Sequence, residues 1–248
     1  MSEEIELKLL KEIEKLQRDI EELKGVQRDS KPTYQFSKIT YNLLKKLVNI
    51  KKNLDENIFN EWFSYDYEID DETLDMFGDL IEDNYRLIET YSEEDLKVNF
   101  IVPILNKVHF KSYENGFRDY YELPLRYETE NFIFNGTTDF TVSKGLVESE
   151  EVYFFIQEFK KGQKEGYPEA QLLAELISAI ELNNYKDIKG AYIIGSLWYF
   201  VILEKIDDDK YQYFVSQKFD SMRIEDLEKI YKNLLYIKEE ITKLLKED

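Results

Sequence analysis

Glu158 and Lys160 stand two positions apart at the end of "VYFFIQEFK", directly after the apolar run from Val152 to Ile156. In an extended strand, residues i and i+2 share a face and their side chains start about 6.5 to 7 Å apart. A carboxylate so placed can hold a hard cation such as Mg2+ through oxygen. The ammonium beside it can orient a water or offset charge on a phosphoryl group. One carboxylate is too few for Mg2+, so a second is expected from an adjacent strand, and Asp139, 19 residues upstream in "GTTDF", is the candidate. Each group alone has a plainer reading, a solvated ion pair for the Glu-x-Lys and turn chemistry for the Asp. Their order, with the apolar run making the second strand central, favours the joint reading.

These groups need elements to position them. "SEEDLKVNFIVPILNKV" opens on Ser92 three residues before Asp95, a capping-box arrangement, and continues with Leu96, Phe100, Ile101, Ile104 and Leu105 on one side of a helix. Pro103 inside it is expected to kink the helix or lock a turn. Helical patterns are also read over 35–62 and 72–91. From about residue 120 the period changes. "RYETENFIFNGTTDFTV" holds two extended runs, with Asn135-Gly136 as the expected hairpin turn. The strand ending in Glu158 and Lys160 follows, then a helix in "PEAQLLAELISAIELNN", two strands around Gly195, a last strand in "YQYFVS" and a closing helix. This order predicts an α/β protein, a sheet covered by helices. The aromatic runs "LWYF" and "YQYF" read as sheet core rather than as a base-stacking platform.

Residues 3 to 24 carry a heptad seam, Leu9, Ile13, Leu16, Ile20 and Leu23, with isoleucine at a and leucine at d. That choice suits a parallel two-stranded coiled coil, and an amphipathic helix packed on its own domain is the alternative. Three regions are therefore expected: 1–30, a helix with a linker; 31–91, helical; and 92–248, the core carrying the candidate site.

Composition removes several chemistries. The chain has no cysteine and one histidine, His109, so thiolate or His-cluster metal sites are excluded and any metal must be held by oxygen. No apolar stretch approaches the roughly 20 residues of a membrane span, and "MSEEIELKLL" lacks a signal peptide's features, so a cytoplasmic protein is expected. The formal charge of −19 argues against a nucleic-acid partner. Its distribution argues less strongly: residues 66 to 95 hold thirteen acids against one base, while "KITYNLLKKLVNIKKN" holds five lysines and no acid.

"GTTDF" followed by "QEFKKG" resembles the Asp…Glu-x-Lys core of the PD-(D/E)XK, restriction-endonuclease-like nuclease superfamily. "SEEDLKVNFIVPIL" is similar to the N-terminal helix of the subgroup found in the R-subunit nuclease domains of type I restriction enzymes. The resemblance spans roughly residues 92 to 205, with Thr138 where the name-giving proline would stand. It implies a restriction-endonuclease-like mixed sheet flanked by helices, behind an N-terminal helical extension. It also implies a Mg2+-dependent endonuclease, with Mn2+ as a substitute, acting on DNA in restriction or phage defence. Glu94, Asp139, Glu158 and the carbonyl of Phe159 would hold the metal, with Glu93 the rival to Glu94. Lys160 would serve catalysis, and Gln171 in "EAQLLAEL" would lie near the site. A homodimer through the heptads and a separate regulatory or motor partner are compatible with it, because no Walker-type phosphate loop is present. The alternative is an inactive nuclease-like module that binds or regulates.

Overall fold

The computed structural model describes residues 12–13, 15–16, 31–150, 153–160 and 167–247, with 153–158 and 247 described through their backbone alone. The chain divides into two compact units, Met1–Pro32 and Thr33–Asp248. In the first, Ile13 and Leu16 are helical and exposed. The other heptad positions, Leu9, Ile20 and Leu23, lie outside the described residues.

The second unit is α/β, a mixed sheet flanked by helices. Its strands are β1 (Thr33–Gln35), β2 (Asn49–Lys52), β3 (Lys111–Ser112), β4 (Phe117–Glu128), β5 (Ile133–Lys144), β6 (Tyr153–Lys160), β7 (Asp187–Ile194), β8 (Leu197–Asp207), β9 (Lys210–Val215) and β10 (Phe219–Asp220). Their order is β2-β9-β8-β7-β6-β5-β4-β3, with β1 on β5 and β10 on β8. The β1–β5, β2–β9 and β6–β7 pairs are parallel and the rest antiparallel. The helices are α1 (Tyr41–Leu47), α2 (Asn60–Phe63), α3 (Asp71–Asn84), α4 (Glu93–Leu96), α5 (Val102–Val108), α6 (Pro168–Asn183) and α7 (Ile224–Glu247). Among the described residues, no helix is long and apolar enough to cross a membrane.

Two apolar clusters cover the two faces of the sheet. One joins α2 to α5 and α7 to Phe140, Phe159 and Phe200. The other joins α1 and α6 to Phe134, Tyr192 and Leu203. From Ala170 to Ile180 every residue of α6 is buried. A helix apolar around most of its circumference has to be enclosed, and α6 lies along β6 and β7.

Two expectations of local structure are corrected. Residues 35–62 do not form one helix: α1 ends at Leu47, and Asn49–Lys52 pairs with β9, burying Ile50. The apolar spacing of that segment satisfies both a short helix and a strand, and a free sheet edge decided between them. Asn135-Gly136 is not a hairpin turn, because β5 runs straight through it. The turn lies at Thr129–Phe132, where Thr129 N donates to Phe132 O at 2.9 Å. Gly136 instead permits close approach, since a Cβ there would lie 2.7 Å from Phe36 Cδ2. At Pro103 the helix is interrupted by a local turn: a π-turn over Lys97–Ile101 directly precedes it, and Pro103 stands in the first turn of α5, where a backbone N–H is dispensable.

Candidate active site

Strand β5 shares one edge between two neighbours. Its first residues, Ile133 to Asn135, pair with β1, and Phe140 to Ser143 pair with β6. Strand β4 occupies the opposite edge. Between Gly136 and Asp139 the shared edge therefore carries neither partner, and Asp139 borders this gap where β6 begins to separate. Beyond Gln157, β6 is paired with β7 alone, through Glu158↔Tyr192, Phe159↔Ile193 and Lys160↔Ile194.

Asp139 closes this frayed pairing with its side chain: Oδ2 accepts the Phe159 N–H at 2.8 Å. The Phe159 carbonyl accepts from Lys160 Nζ at 2.9 Å. The phenyl ring of Phe159 is buried and fixes the backbone that bears both contacts. Burial pushes the Asp139 carboxyl above its ordinary 3.8. The Phe159 N–H and the charges of Lys160 and Lys97 pull it back without cancelling that effect, and the charge of Glu122 adds to the rise.

Ser92 caps α4, and the capping box with Asp95 is complete. The cap fixes the start of the first turn, which carries Glu93 and Glu94. Lys160 Nζ lies 3.4 Å from Glu93 Oε1, and only 13% of the Lys160 side chain is exposed. Glu94 is exposed, and its charge acts on Lys97. The structure thus sets Glu93, rather than Glu94, against Lys160.

Gln171 is buried in the first turns of α6, where Nε2 donates to the fully buried Glu175 Oε1 at 3.1 Å. The side chain of Glu158 lies outside the described residues; its backbone is in β6, beside Tyr192. Extending the β5–β6 register one step past Phe140↔Gln157 puts Asp139 opposite Glu158. His109 has a left-handed backbone, φ 57°, at the C-cap of α5, a structural position.

Two residues at this gap escape the sequence reading. Glu122 lies within β4 between the pairs Tyr121↔Phe140 and Leu123↔Thr138, opposite Asp139, with φ at 50°. Lys97 opens the π-turn, is 8% exposed and places Nζ 2.6 Å from Glu122 Oε1. Burial alone would depress the Lys97 ammonium. The Glu122 hydrogen bond and the charges of Asp139, Glu122 and Glu94 outweigh it and hold Lys97 above its ordinary 10.5. The acidic side of Lys97's helical face was the available signal, since Glu93 and Glu94 sit four and three residues before it.

Every donor at the gap is an oxygen, carboxylate or carbonyl, which suits a hard divalent cation. Among the described residues, no group of three or more His, Asp or Glu side chains could hold a metal ion. A complete donor set would need Glu158. No protein-family model matches this chain, and no curated protein sequence is significantly similar to it.

Proposed function

We propose that the chain is a metal-dependent nuclease of the restriction-endonuclease-like kind, hydrolysing phosphodiester bonds in DNA in a restriction or phage-defence role. The observation that carries this reading is the meeting, at one gap in the sheet, of Asp139, the Phe159 backbone, Lys160 and Glu93 from three separate elements. An isolated surface Glu-x-Lys has no reason to be tied to a carboxylate from another strand and another from a helix.

In this reading Asp139, Glu158 and a helical carboxylate hold Mg2+ or Mn2+, with the Phe159 carbonyl as a further donor. The 3.4 Å approach to Lys160 favours Glu93 for the helical part over Glu94. When bound, such an ion neutralises phosphate charge and makes a bound water easier to deprotonate. Lys160 contributes a fixed ammonium, which orients the attacking water and offsets charge developing on the phosphate. Burial of most of its side chain keeps that charge from being screened. Gln171 supports the site from α6.

A nucleic-acid substrate is supported by the lysine strip of α1 and β2. Lys45, Lys46, Lys51 and Lys52 are exposed with no acid among them. Lys52 reaches Glu169 at 3.3 Å, and Glu169 accepts the Tyr192 hydroxyl at 3.2 Å beside the Glu158 position. The strip therefore leads toward the gap, and phosphate contacts need such charges. The N-terminal heptads would pair two copies and supply two sites for two strands, and a regulatory or motor chain would act as a separate partner.

The test is cleavage of labelled DNA and RNA with Mg2+ or Mn2+. Asp139→Ala and Lys160→Ala are each expected to abolish metal-dependent cleavage while the circular dichroism spectrum stays that of wild type. Cleavage surviving both substitutions would falsify the assignment. A second reading, a nuclease-like module that binds without cutting, is favoured by the net charge of −19. Calorimetric Mn2+ titration of wild type against Asp139→Ala separates the two: the module is supported if neither chain takes up metal.

A further inference from the structure

The Lys97–Glu122 pair is costly for what it returns as an ordinary ion pair. Lys97 is 8% exposed, whereas 60% of the Glu122 side chain is open to solvent. Withdrawing an ammonium from water is costly, and a carboxylate that stays open to solvent offsets little of that cost. Glu122 carries a second cost. A left-handed φ of 50° at a non-glycine residue inside a strand is strained. The strained residue stands opposite Asp139 in the β4–β5 register, and the buried ammonium is bonded to it.

What the two residues achieve together is to place a positive charge where carboxylates converge. The left-handed turn at Glu122 carries its carboxylate out of the regular ladder to Lys97 Nζ. The π-turn opens with Lys97 directly after α4, and its ammonium meets Glu122, the residue that the β4–β5 register sets opposite Asp139. Lys160, the other ammonium acting on Asp139, is engaged with Glu93 and the Phe159 carbonyl.

We infer that Lys97 is a positioning residue of the site. Its ammonium, anchored on Glu122, is the internal counter-charge of Asp139, against which a divalent cation has to be taken up. The inference rests on the metal-site reading of Asp139. Lys97 thereby lowers the affinity for the divalent ion while keeping the carboxylates gathered before it arrives. Glu122 acts through Lys97: it holds the ammonium back from Asp139 and so moderates the competition.

The two halves of the pair then have opposite effects on metal affinity. A merely structural ion pair would weaken binding, or leave it unchanged, whichever half was removed. The experiment is calorimetric titration of the full chain with Mn2+ and with Ca2+, in the absence of nucleic acid. Lys97→Met is expected to bind Mn2+ at least tenfold more tightly than wild type, and Lys97→Arg to keep wild-type affinity. Glu122→Gln releases the ammonium toward Asp139 and is expected to weaken binding threefold or more. If Lys97→Met does not fold, Lys97→Gln, which keeps a polar end but no charge, takes its place in the titration with the same tighter Mn2+ binding expected. Unchanged or weaker Mn2+ binding in Lys97→Met, or tighter binding in Glu122→Gln, overturns the inference. Wild-type metal binding in Asp139→Ala overturns the metal-site reading itself, and this inference with it. Loss of binding in Asp139→Ala with no change at Lys97→Met overturns the inference alone.

Discussion

Asp139 Oδ2 accepts the backbone N–H of Phe159 at 2.8 Å, a side chain standing in for a ladder bond where β5 and β6 part. The contact does two things at once. It satisfies a donor that pairing with β7 leaves unserved, and it holds one carboxylate oxygen in place at the edge of the gap. Burial costs the ionised carboxylate more than this bond and the nearby ammonium groups return, which is why its pKa is raised.

Asp139→Asn should therefore stabilise the metal-free protein at neutral pH. A carboxyl with a raised folded pKa binds its proton more tightly folded than unfolded. Its penalty is full above the folded pKa and disappears as pH falls below the unfolded value, near 3.8. Asparagine keeps the acceptor oxygen and removes the charge. The melting temperature of the variant should exceed that of wild type at pH 7, and the gap should close as pH is lowered toward 4. A gap that widens on acidification contradicts the assignment.

Reversing the charge of the strip, Lys45→Glu, Lys46→Glu and Lys51→Glu together, should weaken DNA binding without touching metal affinity. All three side chains are exposed, so the fold should tolerate the change. Each lost phosphate contact lowers the slope of log K against log salt by about 0.9 for duplex DNA. Fluorescence anisotropy across a salt series in Ca2+ measures it, and an unchanged slope would place the nucleic acid elsewhere.

Gly136→Ala should destabilise the protein by about 1 to 3 kcal/mol, the usual range for overpacking. The added methyl would meet the Phe36 ring at 2.7 Å, and Phe36 is 1% exposed with little room to yield. Chemical denaturation measures the loss. Combination with Phe36→Leu should recover part of it, whereas a turn role for Gly136 would leave the two effects additive.

Ser92→Ala removes the N-cap of α4 and should cost about 1 kcal/mol, the usual loss for such a cap. Ser92 Oγ accepts Asp95 N–H at 3.1 Å and donates to Asp95 Oδ2 at 2.7 Å, and alanine loses both, leaving only the Ser92 backbone N–H on Asp95 Oδ2 at 3.1 Å. Because Glu93 follows directly, its approach to Lys160 should loosen as well. If Glu93 serves the site, metal affinity measured by calorimetry drops along with stability; a loss of stability alone would confine the cap to the helix.

The elements with local causes were legible. Ser92 and Asp95 sit three residues apart and bond across one turn, so their pattern is their structure. The apolar stretch of α6 and the strand ending in Lys160 follow from periodicity, as does the turn at Gly195, where φ is 62°. Asp139 and Lys160 could be singled out because β5 and β6 are adjacent in the sheet as in the chain.

Contacts between residues distant in sequence settled the rest. Asn135-Gly136 carries a hairpin signature, yet Phe36 arrives from a hundred positions upstream to occupy the space over it, and β1 pairs with the strand. Asn49–Lys52 became a strand because β9, formed from residues 210 to 215, offered an edge. Glu122 has no motif of its own: it matters because antiparallel register sets it opposite Asp139 and because the left-handed turn there sends its carboxylate to Lys97. Periodicity and capping act over one or two turns of chain and so can be read in order. A carboxylate's neighbours across a gap are chosen by strand register and helix docking, which no short stretch of residues contains.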